Sequence, residues 1–107
     1  MPEEEKVTRM HFRIPVDGLA KLKVLCEDTN INLSALLRKM VLDWHEEPKI
    51  LIENDDKPKT RIIIQLPETV ANEIHAMCDE RGITRSALLR NIVMTDLVEI
   101  EKGERSI

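Results

Sequence analysis

The sequence predicts a mainly helical α+β fold in which one strand-helix-helix unit occurs twice. A shift of 52 residues aligns residues 8–44 with residues 60–96 without a gap, and 11 of the 37 aligned positions are identical. Each copy opens with a short alternating stretch and continues with two segments of helical apolar spacing. A unit of about 40 residues cannot bury its own apolar faces, so we expect the two copies to form one compact domain.

The identical residues are spread along the unit and end in the same pentapeptide, Ser-Ala-Leu-Leu-Arg, in both copies. They are Thr8/Thr60, Arg9/Arg61, Pro15/Pro67, Cys26/Cys78, Ile31/Ile83, Ser34/Ser86, Ala35/Ala87, Leu36/Leu88, Leu37/Leu89, Arg38/Arg90 and Val41/Val93. This match indicates a tandem duplication, with repeat 1 at residues 8–44, a linker at 45–59 and repeat 2 at 60–102.

Each repeat opens with a strand of period two, which buries one face and exposes the other. The residues expected to face inward are Met10, Phe12 and Ile14 in repeat 1 and Ile62, Ile64 and Leu66 in repeat 2. Those expected to face outward are Arg9, His11, Arg13, Arg61, Ile63 and Gln65. Pro15 and Pro67 then end the strands and suit the first turn of a helix.

The first helix of each repeat is predicted over Val16–Thr29 and over Glu68–Arg81. Apolar residues recur there at positions i, i+3 and i+4, namely Leu22, Leu25, Cys26 and Ile74, Met77, Cys78. Asn30 and Gly82 follow, where a helix end favours a left-handed residue. Both cysteines are therefore expected to be small buried hydrophobic residues.

The second helix of each repeat is predicted to begin after an N-cap residue, Asn32 or Thr84. Its core residues are expected to be Leu36, Leu37, Met40, Val41 and Trp44 in repeat 1 and Leu88, Leu89, Ile92, Val93 and Leu97 in repeat 2. Pro48 ends the first of these helices, and the second can continue to about Lys102, before Gly103. The triplet Ile50-Leu51-Ile52 in the linker has the composition of a short extra strand outside the core.

Charge and composition exclude several classes of protein. The net charge of −4 arises mostly in the linker and tails, because residues 8–44 have six basic and four acidic residues and residues 60–96 have four and five. An anionic ligand at the strands is therefore not excluded. One Trp, one Phe and no Tyr cannot supply a platform for stacking single-stranded bases. No apolar stretch approaches a membrane span of about 20 residues, and the acidic N-terminus is not a signal peptide.

Each repeat has the motif Arg-x-x-x-x-[Ile/Leu]-Pro, then a helix, and then the motif [Asn/Gly]-Ile-[Asn/Thr]-x-Ser-Ala-Leu-Leu-Arg. This arrangement resembles the ribbon-helix-helix family of DNA-binding proteins, which includes the Arc, MetJ and CopG repressors. The resemblance covers both repeats, and two units in one chain are similar to the conjugation protein TraY. It implies that the two strands pair as an antiparallel ribbon under four helices, in a pseudo-twofold single-chain dimer. Pairing of each repeat with its copy in a second chain is the alternative.

The resemblance further implies that the outward strand residues contact base edges in the major groove. These are Arg9, His11, Arg13, Arg61, Ile63 and Gln65. Arginine can bind guanine, glutamine can bind adenine, and isoleucine can meet a thymine methyl group. The alternative for this set is the solvated face of a half-buried strand, and for Ile63 a contact with another protein.

Phosphate contacts are implied at the start of each second helix, at Asn32, Leu33, Ser34, Thr84, Arg85 and Ser86. Free N–H groups and the positive end of the helix dipole favour an anion there. Ordinary N-capping is the alternative, and both roles can hold together. Arg38 and Arg90 are expected to form surface ion pairs, with a contribution to a phosphate contact as the alternative. His45 and His75 lack the clustered partners of a metal site.

We therefore expect a sequence-specific double-stranded DNA-binding protein, a transcriptional repressor or regulator or an accessory factor, which self-associates further on DNA. The alternative is a protein-interaction module of the same fold, antitoxin-like or inhibitory, that has lost DNA binding. No constellation of nucleophile, base and orienting group suggests an enzyme, and no cofactor or metal is expected. The expected location is cytoplasmic, in a prokaryotic cell or nucleoid, or for a virus or plasmid product acting there.

Overall fold

The chain folds into two strands and four helices, in an order that repeats strand-helix-helix. The structure, a computed structural model, describes residues 6–52 and 59–105. Its elements are β1 (Val7–Pro15), α1 (Val16–Thr29), α2 (Leu33–Glu46), β2 (Lys59–Pro67), α3 (Glu68–Arg81) and α4 (Arg85–Glu101). The predicted fold class is confirmed. Linker residues 53–58 lie outside the described residues.

The strands β1 and β2 pair antiparallel along their whole length and form a two-stranded sheet. The register is symmetric with respect to the repeats, because His11 and Ile63, which are equivalent residues, face each other at its middle. The inward residues are buried, with Ile62 half-buried, as the alternation predicts. One face of the ribbon therefore packs against the core, and the other faces solvent.

The helix boundaries follow the local signals in the sequence. Asn30 and Gly82 adopt left-handed φ values of 57° and 67° and end α1 and α3 at the predicted residues. The Asn32 Oδ1 atom accepts a hydrogen bond from the Ala35 N–H at 2.8 Å. In the same way, the Thr84 Oγ1 atom accepts from the third N–H of α4 at 3.0 Å. Both predicted N-caps are confirmed.

The core lies between the inward face of the ribbon and the second helices, and it interlocks the two repeats. Helix α4 packs on β1, and helix α2 packs on β2 as well as on α4, so each second helix covers the strand of the other repeat. The ten core residues predicted on α2 and α4 are all buried. Cys78 is buried as expected, whereas Cys26 is only half-buried.

Helix α4 is covered on more sides than the sequence predicts. The predicted extra strand at Ile50-Leu51-Ile52 is wrong, because residues 48–52 form an irregular segment, which we call the strap, that lies against α4. The backbone N–H of Ile52 donates to the Thr95 Oγ1 atom at 2.9 Å, and Leu51 packs against the core. The hydrogen-bonded backbone groups of the strap thus have side chains of α2 and α4 as partners rather than a neighbouring strand.

The beginning of the strap is fixed by polar contacts. The Trp44 Nε1–H donates to the carbonyl oxygen of Lys49 at 3.1 Å. The Lys49 Nζ atom lies 2.6 Å from the Asp96 Oδ1 atom and 2.9 Å from the Glu99 Oε2 atom. These bonds join the end of repeat 1 to the middle of α4.

Within residues 6–52 and 59–105, no helix is long and apolar enough to cross a membrane.

Candidate nucleic-acid interface

The outward face of the ribbon carries the six side chains that the strand alternation predicts there. All six are exposed, and none is acidic: Arg9, His11, Arg13, Arg61, Ile63 and Gln65. Since the opposite face of the same two strands is buried, these side chains form one continuous solvent-facing surface. We call this surface the ribbon face.

The two ends of the ribbon face differ in charge. Arg13 lies opposite Arg61 at one end, whereas Arg9 lies opposite Gln65 at the other. Each end therefore takes one residue from each repeat, and one end has two guanidinium groups where the other has one. Like charges directly opposite each other destabilise an antiparallel pair, so the Arg13–Arg61 end favours an anionic ligand.

The middle of the ribbon face pairs a polar residue with an apolar one. His11 lies opposite Ile63, whose side chain is 47% exposed. An exposed isoleucine at this position breaks the otherwise polar surface. It is the feature of the ribbon face that favours an apolar contact, either with a thymine methyl group or with a protein.

The helix starts that were predicted to contact phosphate lie at the first turns of α2 and α4. Asn32, Ser34, Thr84 and Arg85 are exposed, and Leu33 and Ser86 are half-buried. The first N–H groups of a helix have no acceptor within the helix, and each cap satisfies only the third. The N–H groups at the first two positions of each helix therefore remain suited to an anion.

The start of α4 is fastened to β1 by two hydrogen bonds. The Ser86 Oγ atom accepts from the Arg13 N–H at 3.1 Å, and the Arg90 guanidinium donates to the Arg13 carbonyl oxygen at 3.3 Å. This contact brings a predicted base-contacting residue and a predicted phosphate-contacting residue together. No corresponding bond joins Ser34 to Gln65 in the described part of the chain. The Ser86 hydroxyl still has its own proton to donate to an anion.

Sequence reasoning missed a contact of His75. The Arg85 guanidinium lies 2.7 Å from the His75 Nδ1 atom, and both side chains border a pocket that Arg9 and His11 also line. The four residues come from three elements, so their spacing in the sequence carries no signal of this cluster. His45 contacts the carboxylate of Glu73, which also lies on α3.

The described residues contain no group of three or more His, Cys, Asp and Glu side chains that could hold a metal ion. Cys26 and Cys78 are free thiols, and burial raises the pKa of both. A raised pKa lowers the thiolate fraction and hence the reactivity of a cysteine. Neither thiol lies on the ribbon face.

Comparison with known proteins identifies a family for the first part of the chain. The model described as a ribbon-helix-helix domain matches residues 6–47, which span β1, α1 and α2. No curated protein and no solved structure matches the chain. The matched segment carries three of the six residues of the ribbon face and one of the two helix starts.

Proposed function

We propose, from the premise that residues 6–47 belong to the ribbon-helix-helix family, that the protein binds double-stranded DNA sequence-specifically with its ribbon in the major groove. Proteins of this family are generally DNA-binding regulators. The observation that carries the proposal is the ribbon face, six exposed side chains with three arginines and no carboxylate. A major groove about 12 Å wide admits a two-stranded ribbon, whose strands lie about 4.8 Å apart.

In this proposal Arg9, His11, Arg13, Arg61, Ile63 and Gln65 contact base edges, and the first turns of α2 and α4 contact phosphates on either side of the groove. The packing of the helices supports that division of roles. Because α4 adjoins β1 and α2 adjoins β2, one helix start flanks each strand of the ribbon. Phosphate contacts fix the position of a protein on the duplex, whereas base contacts specify the sequence. Occupation of the groove would block other proteins, which favours a role as a transcriptional repressor.

We further propose that one chain supplies the whole ribbon as a single-chain pseudo-dimer, with repeats 8–44 and 60–102 joined by the linker 45–59. The pairing of β1 with β2 and the crossing of α2 and α4 onto opposite strands support this unit. Sedimentation at low concentration tests it. A folded monomer is the expected result, and a folded species found only as a dimer would contradict the proposal.

The rival function, a protein-interaction module, is favoured by the exposed Ile63 at the middle of the ribbon face. Selection of bound duplexes from a random pool separates the two functions. The expected result is enrichment of a common sequence, with an affinity that falls as salt rises.

The control is a triple variant, Arg9→Ala, Arg13→Ala and Arg61→Ala. All three side chains are exposed, so the variant should fold and lose the enrichment. If the natural chain enriches no sequence and is not retained on random duplex DNA or heparin at low salt, DNA binding is excluded and the rival stands.

A further inference from the structure

The two strands of the ribbon are related by a pseudo-twofold axis at the middle of their register. The shift of 52 residues makes Arg9 equivalent to Arg61, His11 to Ile63 and Arg13 to Gln65. Because His11 lies opposite Ile63, a half-turn about this central pair exchanges the strands and the two ends of the ribbon face. In a protein with exact twofold symmetry, equivalent residues face equivalent positions in the two halves of a palindromic site. The composition of each equivalent pair therefore decides whether the two half-sites are alike.

The first equivalent pair keeps this symmetry. Arg9 and Arg61 are identical, and both side chains are exposed on the ribbon face. An arginine binds the O6 and N7 acceptors of guanine with two of its donors. A guanine is therefore expected at the corresponding position of both half-sites.

The pair of Arg13 and Gln65 breaks the symmetry, although both side chains are exposed in equivalent places. A guanidinium has only donors and matches the two acceptors of guanine, whereas the amide of Gln65 has both a donor and an acceptor group. Such an amide matches the N6 donor and the N7 acceptor of adenine. One half-site is therefore expected to have guanine where the other has adenine.

The central pair differs as well. The side chain of Ile63 has no hydrogen-bonding group and is 47% exposed, so the base contact open to it is with a thymine methyl group. His11 has two ring nitrogens that can form hydrogen bonds with base edges. Two of the three equivalent pairs thus present different chemistry to the two halves of a DNA site.

The backbone of Arg13 is held in place by α4. Its N–H donates to the Ser86 Oγ atom at 3.1 Å, and its carbonyl oxygen accepts from the Arg90 guanidinium at 3.3 Å. A fixed backbone sets the position from which the side chain reaches a base, and such preorganisation favours discrimination between bases. The pair that breaks the symmetry therefore includes a residue whose backbone is bonded on both sides.

We propose that one chain recognises a non-palindromic DNA site and that the pair of Arg13 and Gln65 fixes its orientation there. Arg9 and Arg61 select guanine in both half-sites, whereas Arg13 selects guanine in one and Gln65 selects adenine in the other. From residue 9 to residue 13 a strand spans about 13 Å, which corresponds to about four base pairs. The inference rests on the proposed function, because it names the kind of duplex that the ribbon face binds.

The test is selection of bound duplexes from a random pool by the natural chain and by two symmetrised variants. Gln65→Arg places arginine at both members of the pair, and Arg13→Gln places glutamine at both. The first variant should replace the adenine by guanine, and the second should replace the guanine by adenine. Each variant should prefer its own selected duplex to the natural one by about tenfold, the size of one bidentate base contact.

The matched control is Asn72→Arg, which makes an amide-to-arginine change at an exposed site of α3, outside the ribbon face. Its selected sequence should be that of the natural chain. A palindrome selected by the natural chain, or an adenine retained by Gln65→Arg, would overturn the asymmetric site while DNA binding stands. If the natural chain enriches no sequence, the proposed function and this inference fail together.

A measurement with the natural chain alone does not depend on the folding of a variant. Changing the guanine of this pair to adenine, or the adenine to guanine, should each weaken binding about tenfold. Both changes together exchange the half-sites at this pair, so the chain can bind in the reverse orientation and should recover part of the loss. Losses that simply add in the double change would overturn the assignment of Arg13 and Gln65 to equivalent positions.

Discussion

The two repeats share their motif but place their second helices in different environments. Helix α2 buries one stripe of side chains, from Leu36 to Trp44, whereas α4 buries every residue from Ile92 to Leu97. Much of the difference arises outside the repeated unit, because the strap that follows α2 lies on α4 and Arg105 after α4 folds back towards it. Equal sequence patterns thus gain unequal burial when a connecting segment covers only one of them.

Where the strap covers α4, the buried carboxylate of Asp96 needs charged partners. Asp96 is 1% exposed, and its partners are Lys49 at 2.6 Å and Arg105 at 3.4 Å. Burial lowers the pKa of Lys49, but hydrogen bonds and charges of Asp96 and Glu99 outweigh it and raise the pKa overall. The equivalent residue of repeat 1 is Trp44, so this ion cluster belongs to repeat 2 alone.

The largest effect is expected for Lys49→Met, which should lower the free energy of unfolding by about 3 kcal/mol because it deprives a buried carboxylate of its closest partner. Chemical denaturation measures the change. The control is Lys21→Met, which breaks an exposed pair with Glu101 and should cost less than about 1 kcal/mol. Equal costs for the two variants would show that the cluster does not hold the strap.

The pH dependence of stability provides a second measurement of the same cluster. Because the pKa of Lys49 is raised by folding, its contribution is complete below the ordinary value of 10.5 and is lost as the pH rises through the folded value. The natural chain should therefore lose more stability above this pH than Lys49→Met does. Parallel curves for the two proteins would contradict the assignment.

The next effect concerns the ribbon face and is expected for Arg13→Gln, which copies the equivalent residue Gln65. Each end of the ribbon would then pair one arginine with one glutamine. Loss of a bidentate guanine contact should cost about 2 kcal/mol of affinity for the selected duplex. Relief of the Arg13–Arg61 pair should stabilise the fold by less than about 1 kcal/mol, so binding and folding should change in opposite directions.

Duplex binding and thermal unfolding of the Arg13→Gln variant are compared with those of the natural chain. Equal loss of affinity on the selected duplex and on random DNA would show that Arg13 contacts only phosphate. A variant that binds the selected duplex unchanged would remove Arg13 from the interface.

A smaller effect is expected where α1 meets α4. Gly18 is buried, and a Cβ atom at this position would lie 2.8 Å from the Met94 Sδ atom, whereas repeat 2 has Val70 at the equivalent position. Gly18→Val should therefore destabilise the fold by about 1.5 kcal/mol through overpacking. Met94→Ala in the same chain should recover part of this loss, as a double-mutant cycle measures.

The control for this pair is Ala20→Val, at an exposed site on the same helix. Only the lower helix propensity of valine acts there, so the free energy of unfolding should fall by about 0.5 kcal/mol. If Met94→Ala recovers nothing, the cost of Gly18→Val does not come from the contact with α4.

The elements that the sequence predicts correctly depend on local signals. Strand alternation places Arg9 and Arg61 on the outer face, and Asn30 and Gly82 end their helices where a left-handed residue is needed. The inner surface of the ribbon and the stripes of α2 and α4 follow from the same periodicities. The contacts of the ribbon face with DNA remain predictions.

The features that the sequence does not predict depend on residues far apart in the chain. The strap joins Lys49 to Asp96, and the helix start joins Ser86 to Arg13. Likewise, the pair of His75 and Arg85 spans the turn between α3 and α4. Periodicity cannot identify such partners, because each pair depends on how the elements pack.

The smallest effect distinguishes the two helix starts. Ser86 and Ser34 hold the same position in the first turns of α4 and α2, so a change to alanine alters helix propensity equally in both. Only Ser86 accepts a bond from a strand, the Arg13 N–H at 3.1 Å. Ser86→Ala should therefore lower the free energy of unfolding by about 1 kcal/mol, the net value of one hydrogen bond, whereas Ser34→Ala should change it little.

Amide hydrogen exchange localises the effect, because the Arg13 N–H should exchange about fivefold faster in Ser86→Ala alone. Equal stability of the two variants, with unchanged exchange at Arg13, would show that the two helix starts are held alike.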